Sequence, residues 1–186
     1  MTIGTSDRPA NEFKIETVDR IAEIDAPTWN ACADPKTATN AGSVQNPFVS
    51  HAFLNALEES GSATPATGWA PCHAVLRNST GDVDGVMPLY LKSHSYGEYV
   101  FDYGWADAFS RAGGRYYPKL QCSVPFTPAT GPRLLVRDAQ QNEFIGRLLA
   151  HGLEALTNRF DVSSAHLTFL PHEQWKLLGS QDFLLR

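Results

Sequence analysis

One long apolar stripe constrains this chain more than any other feature. Phe144, Ile145, Leu148, Leu149, Gly152, Leu153 and Leu156 recur at spacings of three and four, which puts them on one face of a helix over 139–157 with Asp138 as its N-cap. Strand-like runs stand on both sides of that helix. Before it come "FKIETV" at 13–18, a hairpin made by "WAPCHAVLRN" and "DGVMPLYLKS" around the turn "STGDV", and "LQCSVPF" at 120–126. After it come "AHLTFL", a short helix "PHEQWKLL" opened by Pro171 and stopped by Gly179, and "DFLLR", which reads as a last strand. Strands alternating with helices predict an α/β layer fold with a mixed sheet, antiparallel at the central hairpin.

The remaining segments fill in around this order. "DRIAEIDAPTWNACA" carries Ile21, Ile24 and Trp29 at helical spacing, with Pro27 breaking or restarting the helix. "SHAFLNALEES" predicts a better helix, capped by Ser50 and ended by Gly61, with Phe53, Leu54 and Leu57 on one face. Residues 1–11 read as a flexible tail and 12–186 as a single unit. "ADPKTATNAGSVQNP" reads as a loop.

Composition narrows the class of protein. A hydrophobic content of 42% and charged content of 19% are those of a globular chain, and the formal net charge of -5 gives no footprint for nucleic acid. Cys32, Cys72 and Cys122 are odd in number and widely spaced, the pattern of reduced thiols in a cytoplasmic protein. The polar N-terminus is no signal peptide, and no apolar run is long enough to span a membrane.

Residues 97–121, "GEYVFDYGWADAFSRAGGRYYPKLQ", differ from the rest. Seven aromatic residues sit there among carboxylates, arginines, a lysine and glycines. The segment fits either a core strand, with Tyr99, Phe101 and Tyr103 on one face, or the wall of a site.

The words "NPFVSHAFLNALEESG", "PLYLKSHSYGEYVFDYGWADA", "RYYPKLQ" and "VPFTPATGPRLL" resemble the FemAB-like family of predicted bacterial N-acyltransferases, related to the Fem-type enzymes of peptidoglycan bridge synthesis. The resemblance runs over about 46–186 and is most specific over 88–135. It implies a GNAT-like fold, a mixed sheet flanked by helices. It also implies that the chain is the first half of a longer protein with two such units, and that an acyl or aminoacyl group passes to an amine. The acyl donor would be aminoacyl-tRNA, as in Fem-type relatives, or acyl-CoA, as in ordinary GNAT enzymes. Any tRNA contact would come through a second unit, and the acceptor would be a small-molecule or peptide amine. A GNAT-like half that recognises a substrate or partner without catalysis is the alternative.

Acyl transfer to an amine needs a proton acceptor and a donor for the carbonyl oxygen. Asp102, set in aromatic surroundings near Glu98 and Asp107, is a candidate acid/base, and equally a helix cap or ion-pair residue. Tyr116, together with Tyr103 and Tyr117, is a candidate oxyanion donor. Tyr103, Trp105, Tyr117 and Lys119 are candidates for lining a substrate groove, completed by Thr127, Gly131 and Arg133 of the proline-rich 124–133 loop. Tyr116, Tyr117 and Lys119 equally suit packing with a snorkelling lysine. The CoA-binding pattern of GNAT enzymes, Q/R-x-x-G-x-G/A before the long helix, is missing from "TPATGPRLLVRDAQQ". Cys122 reads as structural, Cys72 and His73 as neighbours on opposite faces of a strand, and no metal site is expected from the spacing of the histidines.

Overall fold

The computed structural model describes residues 12–35, 46–99 and 102–186. The tail, most of the loop after Ala33, and Val100 and Phe101 therefore lie outside the described residues.

Strand β1 (Lys14–Val18) is followed by a short 3-10 turn and by α1 (Ala26–Ala33). The Asp25 carboxylate accepts from Thr28 N at 3.0 Å and Pro27 sits in the first turn, so the proline starts this helix rather than breaking it. Helix α2 (His51–Glu59) is capped by Ser50, and the chain leaves it through Gly61 at φ +77°. The hairpin is present, with each arm interrupted once. The first arm divides at Cys72 into β2 (Trp69–Pro71) and β3 (His73–Arg77). The second divides at Pro88 into β4 (Val83–Met87) and β5 (Leu89–Lys92). Proline has no amide to give to a ladder, and beside it Leu89 N donates to His73 Nδ1 at 3.2 Å instead of to a strand.

These interruptions split the strands into two four-stranded sheets. Sheet A has the order β1-β3-β4-β7, with β7 spanning Leu135–Val136, and is antiparallel throughout. Sheet B has the order β2-β5-β6-β8, where β6 is Lys119–Cys122 and β8 is Ala165–Leu167. Its last pair, β6 and β8, is parallel. A parallel pair needs a crossover, and α4 (Asn142–Arg159), the predicted stripe helix, supplies it. Asp138 Oδ1 accepts from Gln140 N at 2.9 Å, capping the 3-10 turn that leads into α4. The architecture is α/β, as expected, with two sheets flanked by helices and the mixed character confined to sheet B.

One apolar core runs behind both sheets. Ala74, Leu76 and Met87 of sheet A and Leu89, Leu120 and Cys122 of sheet B meet Ile145, Leu149, Leu153 and Leu156 of α4, together with Leu178 of α5 (His172–Gly179). Each fully buried leucine contributes roughly 1.5–3 kcal/mol. Phe144, though on the predicted stripe, is half exposed and sits edge-on to Phe13. In front of sheet A, Ile21, Trp29, Val49 and Leu54 from the first helical elements pack on Val75, Val86 and Leu135. The front of sheet B is of another kind and forms the site below.

Three expectations are corrected. Residues 183–186 form no strand: Phe183 N donates to Leu178 O at 3.2 Å, so the chain after α5 is spent closing the helix end. Within 97–119 the strand reading fails, because Tyr99 turns at φ +56° and a helix, α3 (Tyr103–Arg111), follows. An Asp107–Arg111 pair at 2.6 Å, one turn apart, supports that helix. Strand β6 stops at Cys122, short of Pro125 and of Phe126, which stands at φ +57°.

Candidate active site

The strands of sheet B alternate. Behind, they show Leu89, Leu91, Leu120, Cys122, Ala165 and Leu167 to the apolar core. In front they therefore show Tyr90 and Lys92 of β5, Lys119 and Gln121 of β6, and His166 of β8. The register sets Tyr90 opposite Gln121, Lys92 opposite Lys119, and Gln121 opposite His166. A polar front would ordinarily face water. Here the segments 95–99 and 102–117 fold over it, and both lysines are fully buried.

The covering segment supplies the counter-charges. Lys119 Nζ donates to Glu98 Oε2 at 2.8 Å and to Asp102 Oδ2 at 2.6 Å. The Tyr116 hydroxyl donates to Asp102 Oδ2 at 2.9 Å, and the Tyr117 hydroxyl to Oδ1 at 3.1 Å. Lys92 lies against the Trp69 ring, 3.7 Å from its centroid, and its Nζ donates to Tyr96 O at 3.0 Å. Gly97 makes this cover feasible. It sits at φ +80°, and a Cβ there would stand 2.5 Å from the Phe126 ring. Phe126 N donates to Gly97 O at 3.1 Å, which ties the 124–133 loop to the cover.

Burial and pairing pull the titrating groups apart. Burial pushes the Glu98 carboxyl above the usual carboxylate range, and the Lys119 bond only partly offsets it. Burial acts the same way on Asp102, but the Lys119 bond and charge and the Tyr116 hydroxyl outweigh it and hold that carboxyl low. Burial lowers Lys92 to about 8, with the Lys119 charge adding to the effect. His166 is lowered to about 4 by burial and then by Lys119. The tyrosines Tyr116 and Tyr117 are pushed up by burial, and bonding to Asp102 adds to it. Two carboxylates side by side with opposite shifts are suited to opposite roles.

Asp102, Tyr116, Tyr117 and Lys119, all singled out by sequence, thus come together. Asp102 stands at the N-cap position of α3, yet no cap bond comes from its side chain, which turns to Lys119 instead. The other candidates lie apart. Tyr103 and Trp105 are exposed on α3, Tyr103 beside Tyr96 and Trp105 with the Arg186 guanidinium 5.3 Å from its ring. Thr127 Oγ1 donates to Pro125 O within its own turn. Gly131 N donates to Phe169 O at 3.0 Å. Arg133 is fully buried; its two terminal nitrogens donate to the carbonyls of Ala129, Gly131 and Pro132, and its Nε has no partner among the described residues.

Lys92, Tyr90 and Gln121 escaped the sequence reading. Their signal was present as polar residues at every second position of strands whose other face is aliphatic. The three cysteines are buried, with thiols pushed up to about 12 by burial, and carry no nucleophile. His73 Nε2 meets Glu58 Oε1 at 2.7 Å, while its Nδ1 serves the sheet interruption. That pair is structural. A surface hollow of about 430 Å³ between α4 and α5 is lined by Glu143, Arg147, Glu173, Gln174 and Lys176 among others. It brings no reactive groups together, and the buried cluster does.

A family model for FemAB-like proteins, described as peptidoglycan biosynthesis/recognition, matches residues 20–186. The chain belongs to the FemAB-like family. No curated protein sequence matches it. Among solved structures, an acetyltransferase of Trypanosoma brucei is similar over 94% of each chain, with 11% identity and a TM-score of 0.48, a likeness too loose to bear on the chemistry here. No helix among the described residues is long and apolar enough to cross a membrane.

Proposed function

We propose that the protein is an N-acyltransferase that passes an acyl or aminoacyl group to an amine acceptor in peptidoglycan-related metabolism, with its reaction centre on the front of sheet B. The observation that carries this reading is the convergence of Lys119, Glu98, Asp102, Tyr116 and Tyr117 in one buried cluster. Carboxylates there can take a proton from an amine. Ammonium and phenol groups in a low-dielectric setting can favour charge developing on a carbonyl oxygen. Burying two lysines and two carboxylates is a poor way to stabilise a sheet whose other face is apolar, and such clusters gather at functional sites.

The loop before α4 bears on the donor. Gly131 N–H, the two terminal nitrogens of Arg133 and the Asp138 carboxylate are engaged within the protein, while Arg133 Nε has no partner among the described residues. Little remains there to cradle a pyrophosphate, which favours aminoacyl-tRNA, reached through a second unit, over acyl-CoA. The second reading is a recognition unit without chemistry. It is favoured by the saturation of Asp102 and by the depth of Lys119.

Calorimetric titration with acetyl-CoA, and with desulfo-CoA in parallel, separates the donors. The expected result is no binding by the folded protein, with transfer to amines seen from aminoacyl-tRNA when a protein carrying the proposed second unit is assayed. Saturable micromolar binding of acetyl-CoA would reverse the donor assignment. Folded protein that transfers from neither donor would leave the recognition reading.

A further inference from the structure

The place where the two sheets part is held by one side chain. Leu89 opens β5 of sheet B directly after Pro88, where the ladder of sheet A has stopped. Its amide donates to His73 Nδ1 at 3.2 Å, and its carbonyl accepts from Cys72 N at 2.9 Å. His73 itself opens β3 of sheet A, opposite Val18 of β1. The ring therefore ties the first residue of a strand in one sheet to the first residue of a strand in the other.

A backbone N–H can only donate, so Nδ1 is the bare nitrogen of this ring. Nε2 carries the proton and donates it to Glu58 Oε1 at 2.7 Å, in a contact where the histidine side chain is 0% and the glutamate 7% exposed. Both nitrogens are committed, and the ring they describe is neutral. Glu58 is fixed in turn by Ile21 N, 3.0 Å from its Oε2. Around the ring stand Trp29 of α1, with centroids 5.5 Å apart, and Tyr90 of β5 at 5.1 Å. Tyr90 stays uncharged, because burial and then the Glu58 charge push its hydroxyl well above the ordinary 10. On β1, Val18 is apolar and Asp19 beyond it is exposed. His51 of α2 sets its Nε2 against the carbonyls of Ile21 and Ile24. Glu58 is the charged group that meets the ring.

We propose that His73 is an acid-sensitive latch between the two sheets. A proton taken from water at Nδ1 finds no acceptor there and faces the Leu89 N–H, donor against donor. The bond from Nε2 to Glu58 gains from the new charge, so the bond that yields is the one to Leu89. That buried amide is left without a partner, a cost that opens a strand end rather than a whole domain. The start of β5 comes free, and β5 is the strand that presents Tyr90 and Lys92 to the candidate site. The bearing on that site rests on the N-acyltransferase reading, and the latch does not.

The test is amide hydrogen exchange of the 15N-labelled chain, read by NMR as protection factors from about pH 8 to about pH 5, the span in which histidine ordinarily titrates. A two-bond 15N–1H spectrum at the upper end should show His73 as the Nε2–H tautomer. Below about pH 6.5, where a freed imidazole takes up a proton, protection at Leu89 and Cys72 should fall about tenfold per pH unit, because each opening binds one proton. Val75 and Val86, in the middle of sheet A, should keep theirs. His73→Asn puts an amide oxygen where Nδ1 stands, an acceptor that does not titrate, and should abolish the fall. His51→Asn should leave it in place. The latch is overturned if the parent ring is the Nδ1–H tautomer, or if it gains a proton while Leu89 stays protected. Equal loss at Leu89 and Val75 would mean acid unfolding of the whole chain and no latch. A fall that survives in His73→Asn would hand the proton to another group and overturn it as well. The tautomer spectrum needs no variant, so the test stands even where His73→Asn does not fold. None of these readouts uses acyl transfer, so failure of the latch and failure of the transferase reading are separate results.

Discussion

The two faces of sheet B are made by the same four strands and answer to different physics. Behind, Leu89, Leu120 and Cys122 pack on α4, where any side chain of similar size and polarity serves nearly as well. In front, Tyr90, Lys92, Lys119 and Gln121 are buried as deeply, yet their neighbours must match in charge and hydrogen bonding. A core made of dispersion and water release tolerates change gradually. One made of paired charges fails when a single partner goes, and can survive when all of them are exchanged together.

That difference is sharpest in truncations. Lys119→Met leaves Glu98 and Asp102 buried without their cation and should cost about 3–5 kcal/mol. Leu149→Ala, at the centre of the back core, should cost about 2–5 kcal/mol through lost burial and a residual cavity. Urea unfolding measures both. The comparison separates at the next step: replacing Lys119, Glu98 and Asp102 together by Met, Leu and Asn should recover most of what Lys119→Met lost, whereas no second truncation recovers Leu149→Ala. If the triple variant is the least stable of all, the front is not a charge-balanced cluster.

Acidity tests the carboxylates against each other. The folded Asp102 titrates below its ordinary 3.8, so its contribution is present above that value and lost as pH falls through the folded pKa. The folded Glu98 titrates above its ordinary 4.5, so its contribution is present below that value and lost as pH rises through the folded pKa. Below pH 3.8 Asp102→Asn should therefore remove a rise in stability with pH, and above pH 4.5 Glu98→Gln should remove a fall. Slopes of the same sign in denaturant unfolding at stepped pH would contradict the assignment of opposite roles.

Much of the frame was legible because periodicity is a local signal. The stripe of α4, the Ser50 cap of α2 and the hairpin all appear where their patterns stand. The splitting of both hairpin arms was not legible, since it turns on Pro88 and on the His73 side chain meeting Leu89 N across the sheet. Asp102, Tyr116, Tyr117 and Lys119 were legible as candidates from their aromatic setting. Gln121 and Lys92 were not. Alternation shows which side of a strand is polar, but only the return of segments 95–99 and 102–117 over that side reveals that it is not the solvent side. Gly131 and Arg133 drew notice as loop chemistry; Gly131 N bonds to Phe169 O and the terminal nitrogens of Arg133 bond to carbonyls of the loop.

The smallest expected effect is also the most specific to the front face. Lys92 is lowered to about 8 from its ordinary 10.5, chiefly by burial. Because the folded pKa is depressed, the folded state loses stability as pH falls from 10.5 toward 8 and carries the full penalty below that. Lys92→Met keeps the length and the contact with Trp69 but removes the charge, at the expense of the bond to Tyr96 O and the cation–π contact. These losses offset much of the gain, so the melting temperature at pH 7 should rise by only about a few degrees. That gain should disappear as pH climbs through the window in which the parent lysine gives up its proton. A gain of the same size at every pH would mean that the methionine simply packs better, and that Lys92 carries no buried charge for the cluster to balance.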